Sequence, residues 1–192
     1  GSLHFDFQRD EAIAYLEDVV KEPAHLVGYS DGANIALMVA IKRPDLVKSI
    51  VSIAGNYDHS GIHPLPEFGG FVSPEDREEY AVTSPDAPHT LEEKIKRMNE
   101  IWKVEPTIPV SDVAAIQCPV LVMAGDDDVV RHEHTIDLFE KIPLGQLAIV
   151  PGTSHGLVKE KPAIVQALIE DFLGDLSYPV TRMPIKRTNP SL

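Results

Sequence analysis

Apolar positions along the chain follow two rhythms. Between residues 9 and 21, Ala12, Ile13, Leu16, Val19 and Val20 recur at helical spacing with Glu11, Glu17 and Asp18 opposite them. This predicts an amphipathic helix that stops before Pro23. A short apolar strand follows over 24–29, then an Ala-rich helix over about 31–41 (Ile35, Leu37, Met38, Ala40, Ile41), then a second strand over 48–54. Strand, helix and strand with no hairpin turn between them predict a right-handed parallel unit. Strand character returns at 119–125, a continuous apolar run of the kind buried on both faces of a sheet. A helix over 132–141, a fourth strand over 146–150, a loop over 151–156 and a helix over 162–173 stopped at Gly174 complete the alternation. The pattern predicts an α/β fold, a three-layer α/β/α arrangement around a parallel sheet.

Residues 57–112 break the rhythm. Prolines are dense there (Pro64, Pro66, Pro74, Pro85, Pro88, Pro106, Pro109) and Gly69-Gly70 are adjacent. Ser73-Pro74-Glu75-Asp76 and Thr90-Leu91-Glu92-Glu93 each read as a helix start, the second helix carrying Ile95, Met98, Ile101 and Trp102 along one side to about residue 103. The segment is an insertion, either a cap over a site or a structural excursion. The organisation is then core over 1–56, insertion over 57–112, core over 113–174 and a tail over 175–192. Pro179, Pro184 and Pro190 make that tail extended, draped over a surface or disordered.

Composition narrows the function. A length of 192 residues suffices for one domain with a sizeable core. A net charge of −13 argues against nucleic acid as a partner. No apolar run reaches membrane-span length and no secretory signal pattern is visible. Gly1-Ser2 reads as a cloning scar or as the place where a fragment begins. Cys118 is the single cysteine, so no internal disulfide forms, which suits a reducing, cytoplasmic setting. Its place ahead of Pro119 and an apolar run predicts a buried, structural thiol.

The candidate chemistry centres on Gly28-Tyr29-Ser30-Asp31-Gly32, a G-x-S-x-G sequence between the first strand and its helix. A serine at a sharp strand-to-helix turn is held exposed, and glycines on either side remove Cβ atoms where strand and helix pass closely. The Asp31 N–H, at the helix N-terminus, is placed to donate to a developing oxyanion. A serine hydroxyl needs a general base, usually a histidine oriented by a carboxylate. Asp126, Asp127 and Asp128 follow the third strand, and His155 follows the fourth. Three adjacent aspartates also fit a metal loop or a solvated turn, but no further carboxylates follow at calcium-loop spacing. The remaining histidines form no coherent metal set, and His132 and His134 read as exposed side chains at a helix start. No cofactor is implied.

These motifs resemble the α/β-hydrolases over nearly the whole chain, from Phe5 to Leu173. The nucleophile elbow matches G-x-S-x-G, and the order Ser, Asp, His matches the fold's order. The resemblance implies Ser30 as nucleophile, Asp128 as the acid in a G-x-x-D pattern, His155 as base in a Pro-Gly-x-x-His pattern, and 57–112 as the cap. It is closest to the valacyclovir hydrolase-like (biphenyl hydrolase-related) group with a G-x-S-D-G elbow. In that group the aspartate after the nucleophile is associated with a substrate amino group. Asp31 matches it by position, although a carboxylate favoured by the helix dipole explains it equally. Tyr29 and Trp102 join Asp31 as candidate substrate contacts.

The resemblance also has a gap. The family's first four strands and its His-Gly-type oxyanion loop are absent, so the chain matches the C-terminal part of a hydrolase, with half an oxyanion hole. The expected function is a serine hydrolase acting on a small-molecule ester, thioester or amide-like acyl bond. The competing expectation is a non-catalytic hydrolase-fold module that binds a small molecule or a partner. The strand at 24–29 would expose an apolar edge, with self-association as a homodimer, or origin in a longer chain, as the expected consequence.

Overall fold

Four parallel strands carry the fold. In the computed structural model, which describes residues 2–64 and 72–187, β1 (Ala24–Tyr29), β2 (Val47–Ile53), β3 (Val120–Asp127) and β4 (Gly145–Ser154) lie side by side in the order β1-β2-β3-β4. The register pairs Tyr29 with Ile53, Ile53 with Met123, and Met123 with Ala148. Pro66, Gly69-Gly70 and Pro190 lie outside the described residues.

Alternation along the strands sorts the core into two layers, because successive side chains point to opposite faces. Val47, Ile50, Val120 and Val122 face one cluster, which α1 (Phe5–Tyr15), α2 (Asp31–Lys42), α5 (Val110–Ala114) and α6 (His132–Lys141) complete with Ile13, Leu37, Val39, Val113 and Leu138. Val51, Ile53, Leu121 and Met123 face the other, covered by α7 (Leu157–Glu160) and α8 (Pro162–Gly174) through Leu157, Val165 and Phe172. Each fully buried side chain such as Ile50 or Met123 contributes about 1.5–3 kcal/mol. The three-layer α/β/α architecture is thereby established.

Several expectations change at their edges. The first helix begins at Phe5, which is fully buried, and closes in a π-helical turn, Leu16–Val20, with Lys21 at φ 60°. β4 runs on to Ser154, so Pro151-Gly152-Thr153 belong to the strand rather than to a loop, with Gly152 turning at φ 64°. Cys118 is half-buried against the first cluster, and burial pushes its thiol up to about 11. Residues 175–187 form no helix or strand, but Lys186 Nζ lies 3.9 Å from the centre of the Phe139 ring and donates to the Phe139 and Ile142 carbonyls.

Between β2 and β3, α3 (Pro74–Thr83) and α4 (Thr90–Trp102) are joined to one another by side-chain bonds. Ser73 and Asp76 form a capping box at the expected helix start. Tyr80 Oη bonds Thr90 Oγ1 at 2.9 Å, and Arg77 pairs with Glu92 at 2.7 Å. α3 buries no residue and α4 buries only Ile101. Among the described residues β1 pairs only with β2, leaving Val27 54% exposed. Among the described residues no helix is long and apolar enough to cross a membrane.

Candidate active site

The turn between β1 and α2 is strained at the residue that the sequence singles out. Ser30 has φ 55° and ψ −122°, a conformation that an L side chain rarely adopts. Its N–H donates to the Ile53 carbonyl at 2.8 Å, which ties the turn to β2. A Cβ on Gly28 would lie 2.2 Å from the Gly32 carbonyl oxygen and 2.6 Å from Ala33 N, so glycine is required there. The expectation for Gly32 is corrected: a Cβ on that residue would meet nothing within 4 Å, because it is Gly32's own backbone that crowds Gly28. Ala33 and Asn34 N–H both donate to the Ser30 carbonyl, while the Asp31 and Gly32 N–H groups occupy the two positions that begin α2. Groups at these positions have no intrahelical acceptor and lie at the positive end of the helix dipole.

Three strand ends converge above that turn. His155, just beyond β4, places Nε2 3.0 Å from Ser30 Oγ and Nδ1 2.8 Å from Asp128 Oδ1. With the Asp128 carboxylate accepting from Nδ1–H, Nε2 is the acceptor for the Ser30 hydroxyl. The Asp128 side chain is completely buried, and it also accepts from Val130 N–H at 3.0 Å and Gly125 N–H at 3.3 Å. Burial works to raise its pKa, but the bonds from His155, Val130 and Gly125 outweigh that cost and hold it below the usual carboxylate value.

The neighbouring aspartates do other work. Asp126 accepts the Thr153 N–H at 3.0 Å, joining the end of β3 to the end of β4, and Asp127 is exposed. A Cβ on Gly125 would strike the Thr153 and Ser154 carbonyl oxygens at 2.4 and 2.5 Å, so that glycine lets the Asp128 and His155 segments approach. Among the described residues no group of three histidine, cysteine, aspartate or glutamate side chains is arranged to hold a metal ion.

Tyr29 and Trp102 both reach the site. Tyr29 Oη donates to the His155 carbonyl at 2.9 Å, and the two rings lie 5.4 Å apart. Burial, together with the Asp128 and Glu160 charges, raises the tyrosine's pKa. Trp102, the last residue of α4, donates its indole N–H to both oxygens of Asp31, 3.0 Å from each. Burial raises the Asp31 pKa against the opposing influence of Trp102 and His155.

His132 is exposed as expected, with Nε2 donating to the Gly125 carbonyl at 3.2 Å. His134 is not. Its ring stacks on Tyr57 at 4.1 Å and accepts the Tyr57 N–H at 3.1 Å, beneath a loop where a Cβ on Gly61 would collide with the imidazole. Two further features escape sequence reasoning. Asn34 and Asn56 form a buried amide pair, with Asn34 Nδ2 donating to Asn56 Oδ1 at 3.0 Å and Asn56 N–H donating back at 2.7 Å. The polar Asn34 amid Ala33, Ala36 and Leu37 was the available signal. Glu160 grips the residue before His155, and its spacing gives no helical or strand signature.

The sequence profile of the alpha/beta hydrolase family matches residues 1–167. The chain belongs to the alpha/beta hydrolase family. It is 25% identical over 194 residues to the protein described as "Putative carbamate hydrolase RutD" from Caulobacter sp. (strain K31), covering 85% of this chain and 70% of that relative. Among solved structures it resembles a carboxylesterase of the thaumarchaeon Nitrososphaera gargenis (TM-score 0.67, 20% identity, 90% of this chain and 72% of that one). It also resembles the meta-cleavage product hydrolase CumD of Pseudomonas fluorescens IP01 (TM-score 0.66, 18% identity, 91% and 73%). The fold is shared with these hydrolases, and hydrolysis is the activity that the family supports.

Proposed function

We propose that this hydrolase is a serine hydrolase that opens a small-molecule ester, thioester or amide-like acyl bond through an acyl-enzyme. The observation that carries the reading is the unbroken chain from Ser30 Oγ through His155 to the buried Asp128 at 3.0 and 2.8 Å. In it, Ser30 Oγ attacks the acyl carbon as His155 Nε2 takes the hydroxyl proton, and Asp128 stabilises the imidazolium that forms. The tetrahedral oxyanion lies against the Asp31 N–H at the start of α2. Each such donor is worth about 10²–10³ in rate. His155 then delivers its proton to the leaving group, and water repeats the sequence to release the acid. The carbamate in the relative's description is an acyl bond of the same class.

Asp31 is the candidate contact for a substrate amino group. One neutral indole N–H serves both of its oxygens. Lone pairs therefore remain for a cationic donor. The unpaired Cys118 fits a reducing, cytoplasmic setting.

The test is covalent labelling. A fluorophosphonate probe should modify the intact chain at Ser30, and Ser30→Ala should abolish both labelling and p-nitrophenyl ester hydrolysis while the fold persists. An intact, unlabelled wild type would favour a non-catalytic binding module instead.

A further inference from the structure

The loop that carries His155 is held by a carboxylate that makes no hydrogen bond to Ser30, His155 or Asp128. Glu160 is the last residue of the short helix α7. Its Oε2 accepts the Ser154 N–H at 2.7 Å and its Oε1 accepts the Ser154 hydroxyl at 2.6 Å. The same hydroxyl oxygen accepts the Gly156 N–H at 3.2 Å. The residues immediately before and after His155 are thus fixed to one anchor. The anchor is itself seated, since Leu157 at the start of α7 is fully buried in the second apolar cluster.

We infer that Glu160 is a positioning residue for catalysis, clamping Ser154 and Gly156 so that the His155 imidazole stands within hydrogen-bond reach of Ser30. The inference deepens the proposed serine-hydrolase reading and rests on it. Asp128 fixes the ring through Nδ1, and Tyr29 holds the His155 carbonyl. Neither contact fixes the backbone on both sides of the histidine, and Glu160 does. Lys161, next in the chain, spends its ammonium on the Pro151 carbonyl at 2.5 Å, so the carboxylate's close partners are those of Ser154. The bonds from Ser154 hold the Glu160 pKa below the usual value, which keeps the carboxylate charged and accepting at neutral pH. A displacement of about 1 Å at a reacting group costs about 10²-fold in rate, so loosening this loop should be read in kcat.

The experiment compares Glu160→Ala, Glu160→Gln and Ser154→Ala with wild type in the full chain. Three quantities are followed: kcat and KM on a neutral ester, the rate of Ser30 labelling by a fluorophosphonate, and the low-field proton resonance of the His155–Asp128 hydrogen bond. Glu160→Ala should lower kcat and the labelling rate by about 10–100-fold with KM unchanged, and should shift or broaden the low-field proton. Glu160→Gln keeps one acceptor and should recover part of the loss, with Ser154→Ala falling between the two. A folded Glu160→Ala protein with wild-type labelling and an unmoved resonance overturns the clamp. If Glu160→Ala does not fold, Ser154→Ala decides by the same readouts. If wild type itself is not labelled, the hydrolase reading fails, and the resonance alone decides whether Glu160 positions the histidine.

Discussion

The indole N–H of Trp102 stands 3.0 Å from each carboxylate oxygen of Asp31, so the end of α4 is tied to the residue that follows Ser30. A partly buried carboxylate that loses its side-chain donor bears a desolvation cost of about 1–3 kcal/mol. Trp102→Phe keeps the ring and removes the donor. It should destabilise the chain on that scale, and a double-mutant cycle with Asp31→Ala, which removes the acceptor, should show clear coupling in urea unfolding. Strict additivity would mean the contact is not made in solution. Asp31→Ala should also raise KM for an aminoacyl ester far more than for an acetyl ester. Equal effects would remove the amino-group role.

The adjacent carboxylates are separable by chemistry. Asp128→Asn presents an amide to His155 Nδ1 and disfavours the tautomer in which Nε2 accepts from Ser30. Loss of kcat/KM on the order of 10⁴-fold is expected. Asp126→Asn leaves an acceptor for the Thr153 N–H and should cost only a small part of that. The reverse ranking in steady-state kinetics would reassign the acid.

Strain at Ser30 should be recoverable as stability. A non-glycine residue in such a conformation costs about 1–3 kcal/mol, while glycine's extra unfolded-state entropy gives back about 0.5–1 kcal/mol. Ser30→Gly should therefore melt higher than Ser30→Ala, by about 2–4 °C for a gain of about 1 kcal/mol. A Ser30→Gly protein that melts lower would show that the turn is relaxed.

His134 should set an acid limit to stability. Desolvation lowers its pKa from the ordinary 6.5, against the raising effects of Asp58 and Asp137. Its ring accepts the Tyr57 N–H and stacks on a phenol whose Oη donates to Asp137 at 2.7 Å. A group whose folded pKa is depressed stabilises the fold fully above its unfolded pKa, and that contribution is lost as pH falls through the folded value. Melting temperature should therefore decline as pH drops below about 6.5. His134→Gln should flatten that decline. An unchanged pH profile in the variant would assign the acid lability elsewhere.

The outer edge of β1 is the proposed site of self-association. Val27 is exposed there, and the unpaired backbone groups of an edge strand accept another strand readily. Two copies related by a two-fold axis would pair β1 with β1. Light scattering at micromolar concentration should show a dimer, which Val27→Lys should weaken. A monodisperse, cooperatively unfolding wild-type monomer would end the proposal.

Much of this architecture was legible because parallel strands buried on both faces appear as apolar runs, as at 119–125. The elbow was legible because Gly28 and Ser30 answer local steric demands. Contacts between residues distant in sequence were not. Trp102 and Asp31 are 71 residues apart, and no pattern along the chain connects them. Glu160 meets Ser154 six residues away across a turn, outside the spacings of three and four that mark a helix face. His134 looked exposed because it stands two residues from His132 at a helix start. The loop carrying Tyr57 and Gly61 buries it from elsewhere. Phe5 lay ahead of the periodic window, so the first helix began earlier than its rhythm indicated.

The strand order has a consequence for how the molecule is made. Among the described residues each strand docks beside the one synthesised before it, and none is threaded between two already in place. The sheet can therefore grow in the direction in which the ribosome releases it. Ser30 emerges 125 residues before His155, an interval of roughly 6–25 s at ordinary rates of translation. Throughout that time the serine lacks the histidine that the proposed mechanism gives it as base. The histidine segment arrives after all four strands, so under the proposed mechanism the nascent chain can acquire reactivity only late in its folding.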